Sequence, residues 1–105
     1  MLKQAILAFL IAVVGTSSAV AVTGTVVQKI SSCDYFMVET NSGFSILEWY
    51  GGHEPDKGDK IVGPYDSYGM KTVYDVTADE EIRVWVEDYN LSKTSALEKL
   101  VDKCE

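Results

Sequence analysis

His53 is the first residue of this chain whose chemistry could go beyond ordinary packing. It is the only histidine among 105 residues, and it lies beside Glu54 and Asp56 in a glycine-rich stretch. An imidazole with neighbouring carboxylates can bind zinc or act as a base near neutral pH. No second histidine or nearby cysteine completes a familiar ligand set, so we expect an exposed loop histidine, no metal site and no cofactor. A metal-dependent protein or enzyme centred on His53 and its acidic loop is the alternative.

The sequence has no arrangement that is typical of a known catalytic site. Ser31, Ser32 and Ser42 lack the G-x-S-x-G context of a nucleophile elbow. Neither a phosphate-binding loop nor a dinucleotide fingerprint is present. With 16 acidic residues, pairs of carboxylates for acid–base chemistry are easy to find and therefore uninformative. We predict no catalytic residues and a protein that is not an enzyme.

Cys33 and Cys104 are the only two cysteines, and no C-x-x-C spacing marks them as a redox or metal site. Two cysteines in an exported domain predict a structural disulfide. This bond would close a loop of about 72 residues, worth roughly 4 kcal/mol of stability if chain entropy alone counted. A small domain with a marginal core needs such a crosslink.

Residues 1–21 have the pattern of an export signal. Lys3 supplies the positive start, Ala5 to Val14 is apolar, and Ala19 and Ala21 form a small-x-small cleavage site. The apolar run is too short to span a bilayer as a resident helix. We therefore predict a cleaved signal peptide, a periplasmic or secreted protein, and no stable membrane insertion after cleavage.

Charge limits the class of partner. The full chain carries 9 basic and 16 acidic residues, for a formal net charge of −7, and loss of Lys3 with the signal makes it −8. Nucleic-acid affinity depends on neutralising phosphates with lysine and arginine. The sequence therefore predicts no nucleic-acid partner, and the acidic charge is adequately explained by solubility.

Residues 22–105 are predicted to form a single domain that is mainly β, a small five- or six-stranded barrel with a C-terminal α-helix. Runs rich in β-branched and aromatic residues are separated by turn signals, including a three-residue hairpin turn at 41–43. The predicted strands are 24–31, 35–40, 44–50, 60–65, 71–77 and 81–89.

The hydrophobic period then changes to 3.6, which predicts an amphipathic helix over 92–104. Leu97, Leu100, Val101 and Cys104 recur at i, i+3, i+4 and i+7. Because Cys104 is on the apolar stripe, a bond to Cys33 would hold this helix against the barrel. The apolar stripe of the helix and the predicted disulfide therefore support the same arrangement.

Turn residues and strand alternation resemble those of OB-type barrels. Gly24-Thr25-Val26, the run 35–39 and the run 58–61 are similar to the pattern of the ribosomal S1 and translation initiation factor 1 barrels. That resemblance implies exposed aromatic positions, such as Tyr35 or Phe36, which hold RNA in those barrels.

A second pattern, W-x-x-G…P…D-x-V/I-x-G, is formed by Trp49, Gly52, Pro55, Asp59, Ile61 and Gly63. This pattern resembles that of the small periplasmic OB-fold family of bacteria that is linked to stress tolerance. It implies an OB barrel that acts as a binding module without an established enzymatic site.

The hairpin has two apolar faces, although a barrel interior needs only one. Pairing Thr40 with Phe44 defines the two sets of side chains. One face holds Tyr35, Met37, Leu47 and Trp49, and the other holds Phe36, Val38, Phe44 and Ile46. The face outside the barrel is either covered by the helix or used for binding, because Trp and Tyr suit contacts with sugars or proteins.

We predict that Tyr35, Met37, Leu47 and Trp49 form a surface for a ligand or partner, an unknown protein or an oligosaccharide. Trp85 and Tyr89 are four residues apart on one strand, on the same side as Arg83 and Glu87. Trp85 is either a solvent-facing rim residue or a second anchor for a partner, or it is buried under the helix, which we favour. The overall expectation is an exported, non-catalytic binding or accessory module.

Overall fold

The computed structural model describes residues 21–105. The predicted signal peptide, 1–21, therefore lies outside the described residues apart from Ala21. Among the described residues, no helix is long and apolar enough to cross a membrane. The strands are β1 (Val22–Lys29), β2 (Tyr35–Thr40), β3 (Gly43–Gly52), β4 (Lys60–Gly63), β5 (Gly69–Asp75) and β6 (Glu80–Leu91), followed by helix α1 (Lys93–Lys103).

The six strands form a closed antiparallel barrel. Their order around the barrel is β1-β2-β3-β6-β5-β4, and β4 pairs back onto β1. Closure gives each of these six strands a hydrogen-bonded neighbour on both sides. The predicted fold class, a mainly β barrel with one C-terminal helix, is confirmed, and its architecture is compatible with an OB-like barrel.

The barrel interior is built by strand alternation, since every second side chain points inward. Ile82, Val84 and Val86 of β6 are all fully buried there. Tyr65 is also fully buried, and its hydroxyl donates to the Ile61 carbonyl oxygen at 3.0 Å. The other buried members of this core are Val26, Phe36, Val38, Leu47, Ile61 and Val73.

Helix α1 packs on the outside of the barrel, against β2 and β3. The Ser95 N–H donates to the Ser92 hydroxyl at 3.2 Å, which caps the helix at its start. Ala96 and Leu100 are buried against Met37 and Ile46. The predicted helix is thus confirmed to within a residue at each end, although Val101, expected on the buried stripe, is 54% exposed.

The predicted disulfide is present. Cys33 lies between β1 and β2, Cys104 follows the helix, and their Cα atoms are 5.4 Å apart. The bond therefore fixes the end of the helix to the barrel, as the sequence predicted. A disulfide is consistent with an oxidising, exported location.

The hairpin between β2 and β3 differs from the prediction by one residue. Thr40 pairs with Gly43 and Glu39 pairs with Phe44, so the loop has two residues rather than three. The Thr40 hydroxyl accepts from the Ser42 N–H and donates to the Gly43 carbonyl oxygen, both at 3.1 Å. Gly43 has φ +127°, which favours glycine. A one-residue shift moves every β3 side chain to the opposite face.

Candidate functional site

The predicted binding surface of Tyr35, Met37, Leu47 and Trp49 is not formed. Met37 is buried under the helix, whereas Leu47 is buried inside the barrel. Trp49 is half-buried against the barrel interior, and its indole N–H donates to the His53 carbonyl oxygen at 3.1 Å. Only Tyr35 keeps a partly exposed place on the outer wall. The register shift of β3 is the reason.

A different set of side chains crosses the outer wall of four strands. Tyr35 on β2 pairs with Glu48 on β3, Glu48 pairs with Trp85 on β6, and Trp85 pairs with Met70 on β5. We call these four residues the outer row. At about 4.8 Å between neighbouring strands, it is roughly 14 Å long. Trp85 is 39% exposed and Met70 is 41% exposed.

The predicted burial of Trp85 under the helix is wrong. Because Val84 and Val86 point into the barrel, Trp85 between them must point outward. The helix covers β2 and β3 instead and leaves Trp85 open. Tyr89 was expected on the same side, but a register shift where Asp88 pairs with Ile46 changes the alternation, and Tyr89 packs against the interior core.

Polar groups surround the aromatic members of the outer row. Arg83 and Glu87 are the outward neighbours of Trp85 along β6. Lys103 of the helix pairs with Glu87 at 3.3 Å, and its ammonium lies 5.7 Å from the Tyr35 ring centroid. Burial and a hydrogen bond with Glu48 raise the pKa of Tyr35 to about 12, so its hydroxyl stays protonated. The row therefore combines flat apolar surfaces with hydrogen-bonding groups.

A second candidate site is a cluster of His53, Asp59 and Asp75, which we call the histidine–carboxylate cluster. It lies at the end of the barrel where β3 and β5 finish and β4 begins. His53 Nε2 is 3.6 Å from Asp75 Oδ2 and 3.8 Å from Asp59 Oδ2. Asp75 is fully buried, Asp59 is almost fully buried, and His53 is half-buried.

Backbone contacts hold His53 in this position. Gly52 precedes it with φ +80°, and a Cβ there would meet the Glu81 carbonyl oxygen at 2.6 Å. The same carbonyl accepts a hydrogen bond from the His53 N–H at 3.2 Å. The indole of Trp49 holds the His53 carbonyl. A glycine is therefore needed for the close approach of this loop to β6.

The two aspartates are also fixed. Asp75 Oδ1 accepts from the Ala78 N–H at 2.9 Å, and Asp59 Oδ2 accepts from the Asp56 N–H at 3.1 Å. The Asp59 carbonyl oxygen accepts from the Val26 N–H at 2.9 Å. Each carboxylate is thus held by a turn of its own and aimed at His53.

Burial inside the barrel raises the pKa of Asp75. His53 Nε2 and Asp75 Oδ2 are buried and have no hydrogen-bond partner. Each unpartnered buried group typically costs about 1–3 kcal/mol.

Sequence reasoning joined His53 to its chain neighbours Glu54 and Asp56 and expected it to be exposed. Instead, Glu54 pairs with Lys29 at 2.9 Å, and His53 faces Asp59 and Asp75. Strand alternation could have identified Asp75, because Val73 and Asp75 are two residues apart on β5 and therefore point to the same, inner side. This pattern predicts a carboxylate inside the barrel.

The closed barrel is compatible with an OB-like architecture, and its two unusual features are the outer row and the histidine–carboxylate cluster. The outer row joins residues of four strands, and the histidine–carboxylate cluster joins Asp75 of β5 to two loop residues. Comparisons with protein-family models, with curated proteins and with solved structures found no match to this chain.

Proposed function

We propose that this protein is an exported, non-catalytic binding module that holds a neutral oligosaccharide on the outer row. The observation that carries the proposal is the cross-strand pair of Trp85 and Met70, both about two-fifths exposed on the outer wall. Tyr35 and Glu48 extend this pair across β3 and β2. A large aromatic side chain left open on a rigid sheet is a feature of binding surfaces.

The chemistry of the row suits a sugar. A pyranose ring has an apolar C–H face that stacks on an indole or phenol ring, and hydroxyl edges that need hydrogen-bond partners. Trp85 and Tyr35 offer the rings, while Glu48, Arg83 and Glu87 offer charged donors and acceptors beside them. Ligand sites generally combine apolar contact with a few polar groups that fix orientation.

Two other partner classes fit less well. A nucleic acid would meet a chain whose formal net charge is −7, which disfavours phosphate contacts. Protein interfaces are depleted of charged residues at their centre. Glu48 stands in the middle of the row and Arg83 beside it, so we favour the oligosaccharide over a protein.

The position of the row also supports the proposal. In OB-type barrels the outer face of strands 2 and 3, together with nearby loops, binds oligonucleotides and oligosaccharides. The outer row begins on β2 and β3. The signal-like sequence and the disulfide agree with a protein that meets its ligand outside the cytoplasm.

The test is isothermal titration calorimetry of the purified, disulfide-bonded protein with chitotetraose, cellotetraose and maltotetraose. We expect saturable binding of at least one of them, and an affinity at least about 10-fold lower in Trp85→Ala, which corresponds to about 1.4 kcal/mol. The matched control is Val101→Ala, which removes an exposed apolar side chain from the helix.

Two results would overturn the proposal. One is the absence of saturable binding for all three sugars. The other is equal binding by the wild type and Trp85→Ala, which would move the site away from the row. If the protein binds none of the sugars but captures a protein partner in a way that depends on Trp85, the ligand of the outer row is a protein and not an oligosaccharide.

A further inference from the structure

The histidine–carboxylate cluster takes no part in the oligosaccharide site. Asp75 points into the barrel, whereas the outer row lies on the outside of the wall. A half-buried imidazole whose buried Nε2 faces two buried carboxylates therefore needs an explanation of its own.

We propose that His53, Asp59 and Asp75 bind a divalent transition-metal ion of the zinc type, with a fourth coordination position open to solvent. One nitrogen and two carboxylate oxygens would provide the ligands.

The spacing of the ligand atoms supports the proposal. His53 Nε2, Asp59 Oδ2 and Asp75 Oδ2 are separated by 3.6 and 3.8 Å along the two measured sides, and all three groups can place a ligand atom within 4.8 Å of the others. Zinc bonds of about 2.0–2.1 Å in a tetrahedron require ligand atoms about 3.3–3.4 Å apart. A contraction of a few tenths of an ångström brings the atoms to that distance. The separations from Nε2 are also too long for ordinary hydrogen bonds.

The second observation is that two of the ligand atoms are buried and have no hydrogen-bond partner. Asp75 is 0% exposed, and its Oδ2 has no hydrogen-bond partner although it is aimed at His53 Nε2. His53 Nε2 is also buried and unpartnered. Buried polar atoms are nearly always satisfied in folded proteins. A cation between the three atoms would satisfy both orphans and neutralise the two carboxylates.

The contacts around the cluster resemble the outer support of metal sites. Asp75 uses its other oxygen to accept from Ala78 N–H, and Asp59 Oδ2 accepts from Asp56 N–H. His53 is fixed through its backbone to Glu81 and Trp49. Such outer hydrogen bonds orient the ligands and are part of the affinity of a metal site.

The donor set indicates which metal. Calcium takes six to eight oxygen ligands, and magnesium prefers a water-rich octahedron of oxygens. An imidazole nitrogen with carboxylates suits zinc and its neighbours in the first transition row. The His53 side chain is 25% exposed although its Nε2 atom is buried, so the ring separates the cluster from solvent on that side. A water molecule that enters beside the ring would complete the coordination.

The test uses untagged, disulfide-bonded protein, because an affinity tag made of histidines would bind zinc itself. Zinc is titrated by calorimetry after treatment with a chelator, and cobalt is added separately to record its visible absorption. We expect one zinc per chain and a cobalt spectrum of four-coordinate intensity. Loss of an outer hydrogen-bond partner typically weakens metal binding by about 10–100-fold. His53→Ala and Asp75→Asn remove ligands themselves, so each should weaken zinc binding by more than that.

Asp56→Asn is the matched control, because its exposed side chain lies in the same loop and outside the cluster. It should bind zinc as the wild type does. Circular dichroism confirms that each variant is folded. The proposal is overturned if folded wild type binds no stoichiometric zinc, if His53→Ala or Asp75→Asn binds zinc as well as Asp56→Asn, or if calcium displaces zinc at equal concentration.

Discussion

The outer wall of the barrel has a covered half and a bare half. Over β2 and β3, Met37 and Ile46 point outward but are fully buried beneath Ala96 and Leu100 of the helix. Over β6 and β5, Trp85 and Met70 point outward and remain open to solvent. Both halves carry large apolar side chains, so the difference comes from where the helix lies.

This difference separates two roles for the same kind of residue. An apolar side chain under the helix contributes its buried area to stability. An apolar side chain on the bare half contributes little to stability and is available for a partner. The disulfide keeps the two halves distinct, because it fixes the end of the helix over β2 and β3.

The largest expected effect is the loss of that tether. The double variant Cys33→Ser/Cys104→Ser frees the end of the helix and removes the crosslink that constrains the unfolded chain. We expect the free energy of unfolding to fall by about 4 kcal/mol, as chain entropy predicts for a loop of this size. Urea unfolding of the oxidised wild type and the variant measures the difference. An unchanged free energy of unfolding would show that the helix cover does not depend on the bond.

A single substitution under the helix should have the next largest effect. Leu100 is almost fully buried against Met37 and Ile46, so Leu100→Ala leaves a cavity in that layer. We expect a loss of about 3 kcal/mol in the free energy of unfolding. Val101→Ala, on the exposed side of the same helix, is the control for helix propensity. Equal losses in the two variants would contradict the covered arrangement.

The histidine–carboxylate cluster should show a smaller effect that depends on pH. Because burial raises the folded-state pKa of Asp75 above its unfolded value, the fold favours its protonated form. Its stabilising contribution is complete below the unfolded pKa and is lost as pH rises through the folded pKa. In the presence of a chelator, Asp75→Asn should therefore gain stability relative to the wild type, by about 1 kcal/mol at pH 7.

That gain should shrink as the pH is lowered from 7 to 4, since Asp75 itself then becomes neutral. Thermal melts of both proteins over this range measure the difference. A gain that is constant with pH, or that is larger at pH 4 than at pH 7, would contradict the assigned direction of the Asp75 pKa.

The smallest stability effect is expected on the bare half. Trp85 is exposed enough that Trp85→Ala should change the free energy of unfolding by less than about 1 kcal/mol. Comparison with Leu100→Ala in the same urea titrations sharpens the contrast between the two halves. A fall in the free energy of unfolding as large as that of Leu100→Ala would show that Trp85 belongs to the core and that the wall over β5 and β6 is not bare.

Strand alternation and helix periodicity were sufficient to predict the barrel and the helix, because both depend on local pattern. The disulfide followed from two cysteines and the position of Cys104 on the helix stripe. The hairpin register was not predictable, since a loop of two or three residues around Gly43 changes the apolar pattern little and reverses every side chain of β3. The outer row was missed because the expected hairpin pairing placed Glu48 on the wrong face and the expected helix position covered Trp85.

The histidine–carboxylate cluster could be predicted only in part. His53 was identified as the chemically notable residue, but its partners are brought to it by pairing among β3, β4, β5 and β6. Asp59 directly precedes β4 and Asp75 ends β5, and the pairing of β4 with β5 and of β5 with β6 places both aspartates near His53. Sequence neighbours such as Glu54 were therefore the wrong choice of partner.

The most direct test of the central claim, that the outer row is the binding surface, is an amide chemical-shift map of the wild-type protein during an oligosaccharide titration. Chitotetraose, cellotetraose and maltotetraose are the ligands to add. The account predicts that the largest shifts lie at Tyr35, Glu48, Met70 and Trp85 and that Val101, on the exposed side of the helix, stays unchanged. Shifts confined to the helix or to the barrel ends, or no shifts with any of the three sugars, would contradict it.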